Sequence, residues 1–153
     1  RCFSDVSRLL ECNIDRYSIY RSLEETANRS RITLLEKMLA SITYAGPVAI
    51  MCLRTADFRE ANGSSIDIVG LVNTPLVLKG IQASILLTDS DPTVTKISFR
   101  SKPALPNAPN SLIDVNQLAM KFGGGGHVHA AGARVFAPLD DVQSQLIDLI
   151  KKM

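Results

Sequence analysis

The chain has 153 residues, of which 46% are hydrophobic and 21% charged, with a formal net charge of +2. That length fits one ordinary domain or a small domain with an appendage, and the composition is globular rather than that of a disordered tail. So small a net charge excludes a generally basic nucleic-acid coat, and an aromatic content of 5% without tryptophan excludes a broad base-stacking platform.

No apolar run approaches the roughly 20 residues that cross a bilayer. Arg1-Cys2-Phe3-Ser4-Asp5 is charged early and lacks the apolar core of a secretory signal. The three cysteines, Cys2, Cys12 and Cys52, are widely spaced with no Cys-x-x-Cys pair. Neither a zinc site nor a disulfide framework is expected, and a reducing, cytoplasmic setting without a membrane partner is. The first residue is not methionine, so the chain is expected to be part of a longer one.

Residues 3 to about 43 read as helices. Ser4 and Asp5 open the first, with Val6, Leu9 and Leu10 on one face; Asn13 is the expected cap of the second, with Ile14, Tyr17 and Leu23 at helical spacing. Ile32, Leu35, Met38, Leu39 and Ile42 form an apolar stripe at steps of three and four. These helices read as a connector, 1–45, and Gly46-Pro47 marks the start of a domain, 46–153.

From Pro47 the period changes. Val48–Leu53 is an unbroken apolar run, as expected of a strand covered on both faces. Asn62-Gly63-Ser64-Ser65 is a turn, and Ile66 to about Leu78 reads as a helix that Pro75 should break near Asn73-Thr74. Ala83–Leu87 is a second buried strand, which completes a βαβ unit. After a turn at Asp89–Thr93, Val94–Lys102 is a strand with Ile97 and Phe99 on one face and Lys96, Ser98, Arg100 and Lys102 on the other. Pro103–Asn110 is a loop without periodicity. Asp114 caps a short helix, with Gln117 three residues on, that carries Leu118, Ala119 and Phe122. Ala131–Phe136 reads as a strand, and a final helix starts at Pro138 with Asp140 and Asp141 in its first turn. Its core-facing residues are Val142, Leu146, Leu149 and Ile150. The fold class expected is α/β, a mixed sheet with a βαβ unit and flanking helices, preceded by a helical linker segment.

The candidate site is Gly123-Gly124-Gly125-Gly126-His127-Val128-His129-Ala130-Ala131-Gly132. Four glycines in a row lose much backbone entropy on ordering, so such a run needs a close backbone approach or dihedrals that other residues refuse. Their amides can also point together at an anion. The run is flanked by a capped helix and an apolar strand, unlike a linker, and no Gly-Lys-Ser/Thr follows, unlike a P-loop. The only two histidines come next. His127 is the functional candidate, able to donate to a phosphate or ribose oxygen, and His129 the structural hydrogen-bonder. A His127-x-His129 metal pair lacks a third ligand nearby in sequence.

GGGGHVHAAG resembles the signature GGGGHxxAAG of the DHH-associated C-terminal domain of DHH-family phosphoesterases. Gly70-Leu71-Val72-Asn73, Ser98-Phe99-Arg100-Ser101 and Asp114-Val115-Asn116 fit the same pattern, which is nearest to the nano-RNase and pAp-phosphatase group. The resemblance implies an enzyme that hydrolyses short oligoribonucleotides or adenosine 3′,5′-bisphosphate with two manganese ions. Their ligands belong to an N-terminal DHH domain, and no Asp-His-His triplet occurs here. This chain is therefore expected to contribute no catalytic or metal-binding residue and to be silent by itself. Its implied role is to grip substrate with Gly123, Gly124, Gly125, Gly126 and His127, and to hold another phosphate with Arg100 and Ser98 or Ser101. Its implied partners are short single-stranded RNA or nucleotide phosphates, the N-terminal DHH domain of the same chain and, further, a homodimer mate. A cyclic-dinucleotide phosphodiesterase or single-strand exonuclease of the same superfamily is the alternative enzyme. A tRNA-binding module like the C-terminal domain of alanyl-tRNA synthetase is the alternative without catalysis. Two departures from the pattern are the long Pro103–Asn110 loop and Pro75.

Overall fold

In the computed structural model, which describes residues 2–25, 27–91, 93–109 and 112–152, the strand-forming runs assemble into one six-stranded mixed sheet. Val48–Leu53 forms β2, and all six of its residues are buried, because helices cover it on both sides. A short β1, Thr43–Ala45, pairs antiparallel along its outer edge. The chain then crosses through α4 (Thr55–Glu60) and a 3-10 helix (Leu71–Val77) before β3 (Ala83–Asp91) returns parallel to β2. This is the expected βαβ unit. Antiparallel to β3 runs β4 (Val94–Ser101), and antiparallel to β4 runs β6 (Ala130–Val135). The last edge is β5, Gly125–His127, which makes the spatial order β1-β2-β3-β4-β6-β5.

Strand alternation divides the apolar residues between two layers. On one face Ile50, Ile85, Leu87, Ile97 and Phe99 pack under α5 (Val115–Lys121) and α6 (Leu139–Lys151), which supply Leu118, Val142 and Leu146. On the other face Met51, Leu53 and Leu86 pack under Leu34 and Met38 of α3 (Arg29–Ala40) and Leu71 and Val72 of the 3-10 helix. Among the strands, only β2 and β3 give apolar residues to that second layer, although its 3-10 helix also approaches β4. Over β4, β6 and β5 the same face carries no hydrophobic cluster among the described residues.

Several local expectations change for identifiable reasons. The second helix, α2 (Arg16–Glu24), is capped by Asp15, whose carboxylate accepts from the Tyr17 and Ser18 amides; Asn13 instead sits at φ 56 in the turn after α1 (Cys2–Glu11). The stripe on α3 is narrower than its spacing suggests: Leu34 and Met38 are fully buried, but Ile32 is 61% exposed, since α3 touches the sheet along one line only. Residues 66–78 hold no α-helix. Gly70, at φ +82, ends a series of turns, and the 3-10 helix then runs through Asn73-Thr74 without a break, with Pro75 inside it. β3 continues to Asp91, into the stretch expected to turn. Pro92, within the expected turn, and Asn110, at the end of the expected loop, lie outside the described residues.

Gly46-Pro47, expected as a boundary, is the turn of the β1–β2 hairpin, with Gly46 at φ 56. The Ser41 hydroxyl donates to the Cys52 carbonyl and accepts from the Cys52 amide, both at 2.9 Å, so the end of α3 is stitched to the sheet. By contrast, α1 and α2 bury no residue. Leu34→Ala should therefore cost about 2–5 kcal/mol in urea unfolding, as core truncations do, whereas Leu9→Ala on α1 should cost less than about 0.5 kcal/mol.

Candidate functional site

Two of the three strands that carry candidate residues, β4 and β6, are held by the α5–α6 core. Ile97 and Phe99 of β4 and Ala131 and Ala133 of β6 are buried in it, and this turns their neighbours in sequence to the other face. The register then sets those neighbours in rows across the strands. Arg100 lies opposite Ala130, and Ala130 opposite His127. Ser98 lies opposite Gly132, and Gly132 opposite Gly125. Directly paired residues share a face. Arg100 and His127 are two strands apart in one row, about 10 Å at the usual strand spacing, with the small side chain of Ala130 between them. The row thus has large groups at both ends and a small one between.

The glycine run behaves differently from a loop of free amides. Gly123 adopts φ +69 directly after α5 and closes a Schellman motif: its amide donates to Met120 O at 3.1 Å, and the Gly124 amide to Ala119 O at 2.9 Å. Two of the four expected amides are thus spent on ending a helix. The next two residues enter β5, where alternation turns one amide toward β6 and one away from it. The need for glycine here is steric. A Cβ on Gly124 would lie 2.1 Å from the Gly132 carbonyl oxygen, and one on Gly126 2.5 Å from that of Ala130. On Gly125 it would find only Asn116 Oδ1, at 3.8 Å.

His127 is exposed, and among the described residues its imidazole has no hydrogen-bond partner. Arg100 is half-buried and donates through Nη1 to the carbonyl of Phe99 at 2.8 Å; among the described residues it forms no ion pair. Its remaining donors are available to a ligand. Ser98 is half-buried on the same face and lines a shallow hollow of about 280 Å³ with Gly124, Gly132, Lys96 and Arg134. Ser101, the other serine considered, lies on the opposite, buried side of β4. Its hydroxyl donates to Val128 O at 3.2 Å and meets His129 Nδ1 at 3.1 Å, which pins the β5–β6 turn to β4. The structure brings Arg100, Ser98, Gly125 and His127 together, and leaves Ser101 and His129 as struts behind them.

Arg134 is a residue that sequence reasoning missed. It stands directly opposite Lys96 on the same face as Arg100. The signal was present in the alternation of β6, where Arg134 falls in step with Ala130 and Gly132. No group of three His, Cys, Asp or Glu converges among the described residues. Burial pushes the Cys52 thiol up to about 11. Arg100, Ser98 and His127 offer hydrogen-bond donors of the kind that an anion accepts from.

No protein-family model matches the chain, and no curated protein matches it. Among solved structures it is similar to an exopolyphosphatase-related protein from Bacteroides fragilis, with a TM-score of 0.81 and 27% identity over 99% of this chain and 44% of that one. It is also similar in fold to a pGpG-specific phosphodiesterase from Vibrio cholerae, with a TM-score of 0.51 and 18% identity over 80% of this chain and 39% of that one. The chain spans less than half the length of either. No helix of the described residues is long and apolar enough to cross a membrane.

The steric account of the glycines separates them by experiment. Gly124→Ala should destabilise the protein by about 1–3 kcal/mol through the clash with β6. Gly125→Ala, with open space, should stay within about 0.5 kcal/mol in the same denaturation series.

Proposed function

We propose that this chain is the substrate-gripping part of a phosphoesterase of the DHH family, and that it holds a phosphate of a short oligoribonucleotide or nucleotide in a trough between Arg100 and His127. One observation carries the reading: the register of β4, β6 and β5 sets a guanidinium and an imidazole in one row, on a sheet face where these strands carry no hydrophobic cluster among the described residues. A guanidinium with free donors makes charge-assisted hydrogen bonds to phosphate oxygens, and the geometry of its fork suits them. The imidazole supplies a donor from the other side. The small residues between them, Ala130 and Gly132, admit the sugar-phosphate backbone without a side chain in the way.

The likeness to an exopolyphosphatase-related protein supports a phosphoryl ligand. The chemistry of hydrolysis belongs, in this reading, to an N-terminal domain of the same protein that holds manganese and faces the trough. This chain's part is binding and orientation, which places the scissile ester against groups it does not itself supply. Contacts of this kind go to phosphate and ribose, so discrimination between bases should be weak.

The test is binding of a fluorescent diribonucleotide by the chain and its variants. Arg100→Ala should weaken affinity roughly 10- to 100-fold and His127→Ala roughly tenfold, the scale of charge-assisted and ordinary hydrogen bonds. Melting temperatures should stay within a few degrees, since neither side chain supports the core. Unchanged affinity in both variants would refute the assignment.

A further inference from the structure

Opposite-charge or apolar pairs stabilise facing positions of neighbouring strands, and like charges placed directly opposite are unfavourable. Lys96 and Arg134 break that rule. They face each other across β4 and β6 on the Arg100 side of the sheet, both exposed, and neither forms an ion pair among the described residues. They also border two hollows at once. One is the shallow hollow beside Ser98 and Gly132. The other, about 420 Å³, opens toward α4 and brings the hydroxyl-bearing residues Thr55, Ser64 and Thr88 around the same two cations. Asp89 is the one carboxylate lining it, and its Oδ1 is engaged by the Thr55 amide and by the Thr55 hydroxyl at 2.9 Å.

From this juxtaposition we infer a second phosphate-binding subsite at Lys96 and Arg134, separate from the Arg100–His127 trough but on the same face. Resting on the reading above, it extends the trough into a track. Lys96 and Arg100 are four residues apart on one strand, about 13 Å, a span that a single phosphate does not bridge. A strand held at Arg100 and His127 thus reaches Lys96 and Arg134 only with a phosphate further along its backbone. The unfavourable charge pair is relieved when an anion lies between its members. The ligand chemistry is a phosphoryl group, either a later phosphate of the same RNA strand or a free phosphate ion.

The experiment compares fluorescent di- and tetraribonucleotides on the chain and on Lys96→Gln/Arg134→Gln, which keeps both stems and removes both charges. The tetranucleotide should lose at least tenfold in affinity while the dinucleotide changes less than twofold. The slope of log affinity against log salt for the tetranucleotide should fall by about one to two. In a second arm, inorganic phosphate is titrated while the amide resonances of Lys96 and Arg134 are followed. Movement in the native chain that vanishes in the double variant identifies free phosphate as a ligand of the subsite; dependence of the tetranucleotide alone identifies a strand phosphate. Equal tetranucleotide affinity in both proteins, with no phosphate response, overturns the subsite. Should the dinucleotide bind without dependence on Arg100 or His127, the trough fails instead, and that result is read in separate variants.

Discussion

The backbone of β5 passes β6 so closely that no methyl group fits between them at Gly124 or Gly126. Everything at the site depends on that approach. Because β5 lies tight against β6, His127 pairs with Ala130, and because β6 pairs with β4, Ala130 lies beside Arg100. A side chain at either glycine would push β5 off the edge and carry the imidazole out of the row. The glycines act mainly by letting two strands meet, and only in part by exposing amides.

The second determinant is the unequal covering of the sheet. On the α5–α6 side the apolar residues of all the central strands are buried in one continuous cluster. On the other side the apolar cluster under α3 and the 3-10 helix ends with β3, and the residues beyond change from Met51, Leu53 and Leu86 to Ser98, Arg100 and Gly132. The same sheet thus provides a core and the face proposed to bind, with the rigidity of the first fixing the geometry of the second. Ser101 and His129 show how closely the two are joined. Their hydrogen bond lies behind the face and ties the turn after His127 to the strand that carries Arg100.

Much of this was legible in the sequence where one physical rule dominates. The all-apolar run Val48–Leu53 could only be a doubly covered strand, and Asp114 before an apolar helix could be read as its cap, which it is through the Asn116 and Gln117 amides. The split of β4 into Ile97 and Phe99 against Lys96, Ser98 and Arg100 followed from alternation alone. Illegible features were those set by tertiary contact. Glycine has no strand propensity, so β5 exists only because β6 is there to pair with it. Ile32 and Leu39 satisfy the helical period yet stay exposed, because the period fixes a face and not how much of it is covered. Ser101 falls on the Ile97–Phe99 side by the same alternation, but its hydrogen-bond partners Val128 and His129 come from a distant turn that the sequence does not place. Arg134 was legible as an outward residue of β6, but its place opposite Lys96 needed the β4–β6 register.

The most direct measurement is a map of backbone amide shifts as unlabelled diribonucleotide is added to isotopically labelled chain. The account predicts that the perturbed amides cluster at Arg100, Gly125, His127, Ala130 and Gly132, with the outer surfaces of α5 and α6 unmoved. Saturable shifts centred on those two helices, with Arg100 and His127 unchanged, would contradict it.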